Sequence, residues 1–375
     1  MSNIIDYIAK YGGLKFEEKP FNKVDALILS QFSYLKLGGK VPSVGTMQDN
    51  VTLRGLSEDE NVSDLFTDER YRKSNTELFE AMAASERFGG VGLNHYIDLV
   101  SNRWEMQFSA LTAYLADGVT HVIFRGTDET IVGWKEDFNM AFMTPVPAQV
   151  KAVDYLHYAA ERIKGDFSVG GHSKGGNLAV YSAMKCSKLV RDRVSLIYSQ
   201  DGPGFTKETL EDADFDAIKD RIQKYVPHSS IVGMLLQTSE DYKVIEARSV
   251  GILQHDPFNW IVEDDDFVYR DDVSGRYEIS DASVNEWAKR ADPEEMKVFV
   301  DKIYEVFVAA GVNDLNDFKG NLTTIMLKGK SVMDGMDEED KKRIKEVLAV
   351  FVDSVKDNFR EQLRGLVHFQ KTDVR

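Results

Sequence analysis

The chain has 375 residues, 43% of them hydrophobic, which is enough for one large domain or two smaller ones with buried cores. A formal net charge of -16 makes a nucleic-acid partner or an anionic membrane surface electrostatically unfavourable. The single cysteine, Cys186, excludes an intrachain disulfide and a cysteine-based metal site, and the lack of a secretory start or of about 18 consecutive apolar residues predicts a cytoplasmic protein without stable membrane insertion.

The first 105 residues predict a segment of helices and loops. Apolar residues at helical spacing predict a helix over Phe21–Leu37 that packs on the core. Residues 38–100 show little period-2 alternation, so they predict loops and short helices such as Thr76–Arg87. We therefore expect the first strands to come after this segment.

Strands and helices alternate in the middle of the chain. Two segments rich in β-branched and aromatic residues, Gln107–Leu115 and Thr120–Arg125, predict an antiparallel hairpin. The predicted helices that follow are Ala148–Ile163 and Lys174–Cys186, and the predicted strands are Phe167–Gly170, Val194–Ser199, Ile222–Val226 and Tyr242–Ala247. Such alternation predicts an α/β fold, with a mostly parallel sheet that helices cover on both faces.

The rest of the chain predicts almost only helix. Residues 281–375 are expected to form a helical C-terminal region, either a cap or a packed appendage, while residues 1–280 form the α/β domain. The acidic run Glu263–Asp266 lacks the glycine and ligand spacing of a calcium loop, so we expect it to be solvated charge.

A candidate nucleophile lies in the segment Gly171-His-Ser-Lys-Gly175. A serine hydroxyl becomes reactive when it is exposed beside a base and close to donors that stabilise an oxyanion. A strained turn from a strand into a helix provides this for Ser173, and it requires small residues on both sides, here Gly171 and Gly175. The pattern predicts an α/β-hydrolase fold, an oxyanion donor at the Lys174 N–H, and a solvated Lys174 side chain.

A second oxyanion donor is expected at the end of an earlier strand. The segment Val122–Thr127 ends an apolar strand in a glycine turn, which makes the Thr127 N–H the candidate, although a threonine can also simply cap such a turn. The next segment, Asp128–Pro147, contains Trp134 and Phe138. These aromatic residues are candidate substrate-binding residues of a lid or apolar acyl groove, or else they pack on the sheet.

These motifs resemble those of class 3 (fungal-type) lipases, in which a Phe-Arg-Gly-Thr segment, here Phe124–Thr127, precedes the nucleophile turn at Gly171–Gly176. Residues 3–262 resemble an uncharacterised bacterial family of lipase-like proteins still more closely. That resemblance rests on segments such as Phe21–Asp25, Asp201–Phe205 and Gln254–Phe258. It implies the α/β-hydrolase fold and a hydrolase-type site, but no defined substrate.

A serine nucleophile needs a histidine base, which in this fold follows it in the chain. Three histidines follow Ser173, namely His228, His255 and His368. His368 lies on a terminal amphipathic segment, and His228 follows a strand at the place where class 3 lipases carry the acid. We therefore predict His255, in the loop after the last strand, as the base.

The carboxylate that orients the base is harder to choose. Class 3 lipases place it after the strand that corresponds to Ile222–Val226, but residues 227–231 contain no carboxylate. Asp201 ends the strand after the nucleophile helix, at the sheet edge where α/β proteins bind ligands, so it is the predicted acid. Asp-Gly is also a common turn pair, and Asp256 and Asp241 are weaker alternatives.

The pattern predicts a serine hydrolase, carboxylesterase-like or lipase-like, that cleaves an acyl ester or thioester through an acyl-Ser173 intermediate. This chemistry needs no metal and no cofactor, and its partner is a small-molecule or lipid acyl substrate. Two alternatives remain open from the sequence. One is a catalytically silent hydrolase fold used for binding or scaffolding, and the other is acyl transfer to an acceptor other than water. The substrate and the oligomeric state stay open.

Overall fold

A computed structural model describes most of the chain up to residue 270 and isolated positions beyond it. The described residues are 2–67, 71–115, 118–128, 130–140, 143–228, 230, 232, 241–249, 251–270, 297–298, 300–302, 304–305, 308, 311, 338 and 341–342. The chain divides into two compact units, one of Met1–Asp128 and Met143–Asp281, the other of Glu129–Phe142 and Ala282–Arg375.

An eight-stranded sheet forms the centre of the first unit, and its strands are hydrogen-bonded in chain order. The strands are β1 (Val51–Thr52), β2 (Gly92–Ser101), β3 (Met106–Tyr114), β4 (Thr120–Phe124), β5 (Phe167–His172), β6 (Val194–Gln200), β7 (Ile222–Pro227) and β8 (Tyr242–Ile245). Strands β1 to β4 pair antiparallel, and β4 to β8 pair parallel. The predicted hairpin and the predicted parallel sheet are therefore confirmed, and the fold is that of the α/β hydrolases.

Helices flank this sheet. In the first unit they are α1 (Ile4–Tyr11), α2 (Lys23–Phe32), α3 (Leu53–Ser57), α4 (Arg72–Ala84), α6 (Pro147–Ala160), α7 (Lys174–Lys185), α8 (Lys188–Arg191), α9 (Lys207–Leu210) and α10 (Ala213–Asp216), while α5 (Ile131–Asn139) belongs to the second unit. Short 3-10 helices span Val62–Phe66, Lys219–Arg221, Gly251–His255 and Pro257–Asn259. Within the described part of the chain, no helix is long and apolar enough to cross a membrane.

A small antiparallel ribbon completes the first unit and carries the acidic run. Its strands are β9 (Val262–Glu263) and β10 (Asp266–Phe267). Three consecutive aspartates of this ribbon each pair with a lysine of the N-terminal segment, at 2.5 to 2.6 Å: Lys10 with Asp264, Lys19 with Asp265 and Lys23 with Asp266. The run is therefore engaged in ion pairs with the N-terminal segment, which the sequence analysis did not anticipate.

Strand β2 contradicts the expectation that residues 38–100 contain only loops and short helices. Its first half, from Gly92 to Tyr96, is buried at every position, and Leu99 and Val100 in its second half are exposed. The pairing with β3 shifts between Asn94 and Ile97, as expected for a bulge. Because neither half alternates between buried and exposed positions, the period-2 pattern that marks a strand is missing from the sequence.

A buried ion pair joins the N-terminal helices to the loop after α4. The Arg87 guanidinium donates to both oxygens of Asp25 at 2.7 and 2.5 Å, and both side chains are fully buried. The Tyr7 hydroxyl also donates to Asp25. Asp25 is in addition the third residue of α2, where its carboxylate accepts from the Asn22 N–H in a capping box. This network fixes α2, the helix that leads to Tyr34.

The second unit contains α5 and the described C-terminal positions. In it, the Lys135 ammonium lies 2.7 Å from an Asp301 oxygen and over the ring of Tyr304. The described positions between 297 and 308 are helical, whereas most of the predicted helical region 281–375, with His368, lies outside the described residues.

Candidate functional site

Ser173 occupies a strained turn between β5 and α7. Its φ of 59° and ψ of -133° lie in a region that residues with a side chain rarely adopt. A Cβ atom at Gly171 would lie 2.4 Å from the Phe124 carbonyl oxygen, and one at Gly175 would lie 2.0 Å from the same atom. Only glycine at both positions lets the turn pack against the end of β4.

His255 and Asp201 contact each other directly. The distance between His255 Nδ1 and Asp201 Oδ2 is 2.6 Å. Asp201 follows β6, is fully buried, and has a φ of 52°, while the His255 side chain is 23% exposed. Since a carboxylate accepts, the hydrogen bond places a proton on Nδ1 and leaves Nε2 of the neutral ring able to take one.

The main chain brings Ser173 beside this pair. Strands β5 and β6 are neighbours, with His172 opposite Gln200, and the Ser173 N–H donates to the Gln200 carbonyl oxygen at 2.9 Å. The rings of His172 and His255 lie 4.5 Å apart between centroids. Residues adjacent in sequence to Ser173 and Asp201 thus contact each other or His255, and three separate segments of the chain meet at the carboxyl ends of β5 and β6.

Ser230 is a further residue of this site that sequence reasoning missed. Its hydroxyl donates to Asp201 Oδ2 at 2.8 Å, so the oxygen that contacts His255 accepts from Ser230 as well. Ser230 comes from the stretch 227–231, where class 3 lipases carry their acid. In the sequence, the absence of a carboxylate from this stretch was the signal that another polar residue could occupy this position in the site.

The other candidate acid and base residues have different partners. The Asp256 carboxylate accepts from the Phe258 N–H at 2.9 Å and caps the turn Pro257–Asn259. Asp241 is exposed. His228 is buried, and its ring contacts Gln254 Nε2 at 2.9 Å. Burial lowers its pKa, although the nearby Glu246 carboxylate opposes this shift.

The loop after β4 passes next to Ser173. A Cβ atom at Gly126 would lie 2.9 Å from Ser173 Cβ and 2.6 Å from the His172 carbonyl oxygen. This close approach places the neighbouring residue, Thr127, in the loop that borders Ser173. Thr127 itself is partly buried.

Arg125 anchors this loop, a role that the sequence analysis did not assign. Its guanidinium donates to the two oxygens of Asp98 on β2, at 3.0 and 2.9 Å, and to Asp128 at 3.2 Å. The Arg125 side chain is 1% exposed. Burial opposes its charge, but the carboxylates of Asp98 and Asp128 outweigh this and raise its pKa. A planar five-donor group suits such a two-carboxylate clamp.

The expectation of a solvated Lys174 side chain is wrong. Lys174 is 1% exposed, and its ammonium donates to the Gln107 carbonyl oxygen on β3 at 2.8 Å. As the first residue of α7, Lys174 points its side chain into the protein, while its backbone lies at the positive end of the helix dipole. Its charge therefore fastens α7 to the sheet and is not presented to solvent.

Trp134 and Phe138 lie on α5, which belongs to the second unit. Both side chains are partly buried. Their assignment as substrate-binding residues stays a prediction.

A comparison with models of protein families identifies the family of this chain. A family model described as Mbeg1-like matches residues 82–305, more than half of the chain, and the chain belongs to that family. A search of curated proteins finds no match.

Among solved structures, the chain is similar to a lipase from Rhizomucor miehei, with 15% identity, a TM-score of 0.32, and 41% of this chain and 57% of the lipase covered. It is also similar to the Lip2 lipase from Yarrowia lipolytica, with 11% identity, a TM-score of 0.35, and coverage of 60% and 77%. A third similar structure is M37 lipase, with 14% identity, a TM-score of 0.35, and coverage of 57% and 70%. The chain thus aligns with less than two thirds of the Rhizomucor miehei lipase.

Proposed function

We propose that this Mbeg1-like protein is a serine hydrolase that cleaves an acyl ester or thioester through a covalent acyl-Ser173 intermediate. The observation that carries the proposal is the 2.6 Å contact between His255 Nδ1 and Asp201 Oδ2, beside a serine in a strained strand-to-helix turn. Nucleophile, base and orienting acid in this arrangement are the parts that acyl transfer through serine requires.

In the first half of the reaction, Ser173 Oγ attacks the acyl carbon and His255 Nε2 accepts the hydroxyl proton. The Asp201 carboxylate keeps the other proton on Nδ1 and stabilises the imidazolium that forms. Ser230 supports this role because its hydroxyl, 2.8 Å from Asp201 Oδ2, fixes the carboxylate that orients the ring.

The N–H groups of Thr127 and Lys174 stabilise the negative oxygen of the tetrahedral intermediate. The Lys174 N–H lies at the start of α7, where the helix dipole favours negative charge, and Gly126 brings the Thr127 loop against Ser173. His255 then donates its proton to the leaving alcohol or thiol as the bond to the acyl carbon breaks. Water, deprotonated by His255, attacks the acyl-Ser173 ester and releases the acid and the free serine.

The proposed substrate is an acyl compound that does not rely on a cation at Lys174, because that ammonium is buried against the Gln107 carbonyl. Trp134 and Phe138 are the proposed contacts of its apolar acyl group. The chemistry uses protein groups and water alone.

Labelling with a fluorophosphonate probe tests the proposal. Wild-type protein is compared with Ser173→Ala, His255→Ala and Asp201→Asn, and Ser182→Ala serves as the matched control because Ser182 is a buried serine on α7 with its own carbonyl partner. We expect labelling to disappear in Ser173→Ala, to fall by about 10⁴-fold in Asp201→Asn, and to persist in Ser182→Ala.

No labelling of folded wild-type protein would contradict the proposal and favour a silent hydrolase fold. Labelling that survives in Ser173→Ala would contradict the choice of nucleophile. Once labelling is established, product analysis with and without added alcohol separates hydrolysis from acyl transfer to another acceptor.

A further inference from the structure

Two hydrogen bonds link Tyr34 of the N-terminal segment to the loop that carries His255, which we call the base loop. Both bonds are made by the ring of His172, the residue before Ser173. The Tyr34 hydroxyl lies 3.0 Å from His172 Nδ1, and His172 Nε2 lies 2.7 Å from the carbonyl oxygen of His255. His172 is 4% exposed, and Tyr34, two residues after α2, is partly buried. Neither side chain has a role in the chemistry proposed above.

The direction of these hydrogen bonds follows from the acceptor at one end. A carbonyl oxygen only accepts, so His172 Nε2 carries a proton and donates to His255. In the neutral imidazole the other nitrogen, Nδ1, is then an acceptor, and the Tyr34 hydroxyl donates to it. One tautomer of His172 thus satisfies both contacts.

A second anchor holds the same loop. The indole N–H of Trp260, which is fully buried, donates to the Gln254 carbonyl oxygen at 2.9 Å. Consecutive carbonyl groups, those of Gln254 and His255, are therefore both held by buried ring N–H donors. This fixes the main chain from which the His255 ring reaches Asp201.

Tyr34 also borders the loop that contains Gly126 and Thr127. A Cβ atom at Gly126 would lie 2.1 Å from the Tyr34 hydroxyl oxygen, as well as 2.9 Å from Ser173 Cβ. The hydroxyl thus lies where the nucleophile turn, the base loop and the loop that carries Thr127 approach one another.

We propose that Tyr34 and His172 are positioning residues of the catalytic site, which hold the His255 main chain and the Gly126 loop in register with Ser173. The inference rests on the proposed serine hydrolase function and assigns part of the site to the N-terminal segment. A shift of a reacting group by about 1 Å can slow a reaction by up to about 100-fold, so small displacements of the His255 main chain or the Gly126 loop are expected to have large effects on the rate.

The test uses the second-order rate of fluorophosphonate labelling as a function of pH. Tyr34→Phe removes only the hydroxyl, and His172→Leu removes both hydrogen bonds of the ring. His172→Gln retains an amide N–H that can donate to the His255 carbonyl, so it is a rescue variant. Tyr155→Phe is the matched control, since Tyr155 is a buried tyrosine whose hydroxyl donates to the carbonyl oxygen of His95.

We expect labelling about 10-fold slower in Tyr34→Phe and up to about 100-fold slower in His172→Leu, with partial recovery in His172→Gln and a wild-type rate in Tyr155→Phe. Midpoints of thermal unfolding, measured in parallel, distinguish a loss of positioning in the site from a loss of protein stability. Wild-type rates in Tyr34→Phe and His172→Leu would overturn the inference and leave the proposed function intact. Losses that follow the thermal midpoints, without rescue by His172→Gln, would also overturn it. A folded wild-type protein that does not label would contradict the proposed function, and this inference with it.

Discussion

The two sides of the candidate site are built from different interactions. On one side, which we call the acid-base corner, His255 and Ser230 both bind Asp201 Oδ2 through short hydrogen bonds. The other side contains the proposed oxyanion donor Thr127, and we call it the oxyanion corner. Here Gly126 and Thr127 form a loop that depends on close packing and on the Arg125 ion pairs. The first corner depends on hydrogen-bond donors and acceptors. The second depends on shape and buried charge.

The sequence reflects this difference. The contact between Asp201 and His255 could be anticipated because the proposed catalysis through serine requires an acid and a base in a known chain order. Ser230 and Arg125 could not, because a serine or an arginine has no such requirement, and their roles follow from contacts between segments far apart in the chain.

The fold shows the same division. The parallel strands were predictable because β-branched runs alternate with helical segments, whereas β2 was missed because it is buried in one half and exposed in the other. The side chain of Lys174 was placed wrongly because a charged side chain beside a candidate nucleophile is expected to be exposed to solvent. Its carbonyl partner, Gln107, lies on β3 and becomes apparent only in the folded chain.

Of the two variants that compare the corners, Gly126→Ala is expected to have the larger effect, and it tests whether shape governs the oxyanion corner. The added methyl group would lie 2.1 Å from the Tyr34 hydroxyl oxygen and 2.6 Å from the His172 carbonyl oxygen, so the loop must move away from Ser173. We expect fluorophosphonate labelling to slow by about 100-fold. Gly90→Ala is the control, because a Cβ atom there meets no atom within 4 Å. Equal rates in the two variants would remove the distinction between the corners.

A smaller effect is expected from Ser230→Ala, which tests the acid-base corner. The variant removes one hydrogen bond to Asp201 but leaves the 2.6 Å contact with His255 in place. A hydrogen bond to a charged group contributes about 1.5 kcal/mol at the low end of its range, and because the His255 contact remains, we expect labelling to slow by roughly 10-fold. Ser182→Ala again provides the control. A loss as large as that of Asp201→Asn would mean that Ser230, rather than the direct contact, holds the carboxylate.

The pH dependence of the free energy of unfolding tests the sheet independently of the two corners. His121 on β4 is fully buried, and burial lowers its pKa to about 3 from an ordinary value of 6.5. Between these values the unfolded chain binds a proton that the folded chain does not, so the free energy of unfolding falls as the pH drops below 6.5. The slope from this group approaches about 1.4 kcal/mol per pH unit.

Chemical denaturation of wild-type protein and His121→Gln between pH 7 and pH 5 measures this contribution. The glutamine cannot titrate but can still bond Ser168, the partner of His121 Nδ1. We expect a shallower decline of stability in the variant. Identical slopes would mean that the acid sensitivity of the protein arises from other titratable groups. The fraction of unfolded protein, for which labelling rates at low pH are corrected, would then depend on those groups.

Peptide mapping by mass spectrometry of fluorophosphonate-treated wild-type protein tests the central claim most directly. We expect one adduct per chain, on Ser173, which forms on folded protein and does not form when the protein is denatured before treatment. An adduct on another residue, or none on folded protein, would contradict the assignment of Ser173 as a nucleophile served by His255 and Asp201.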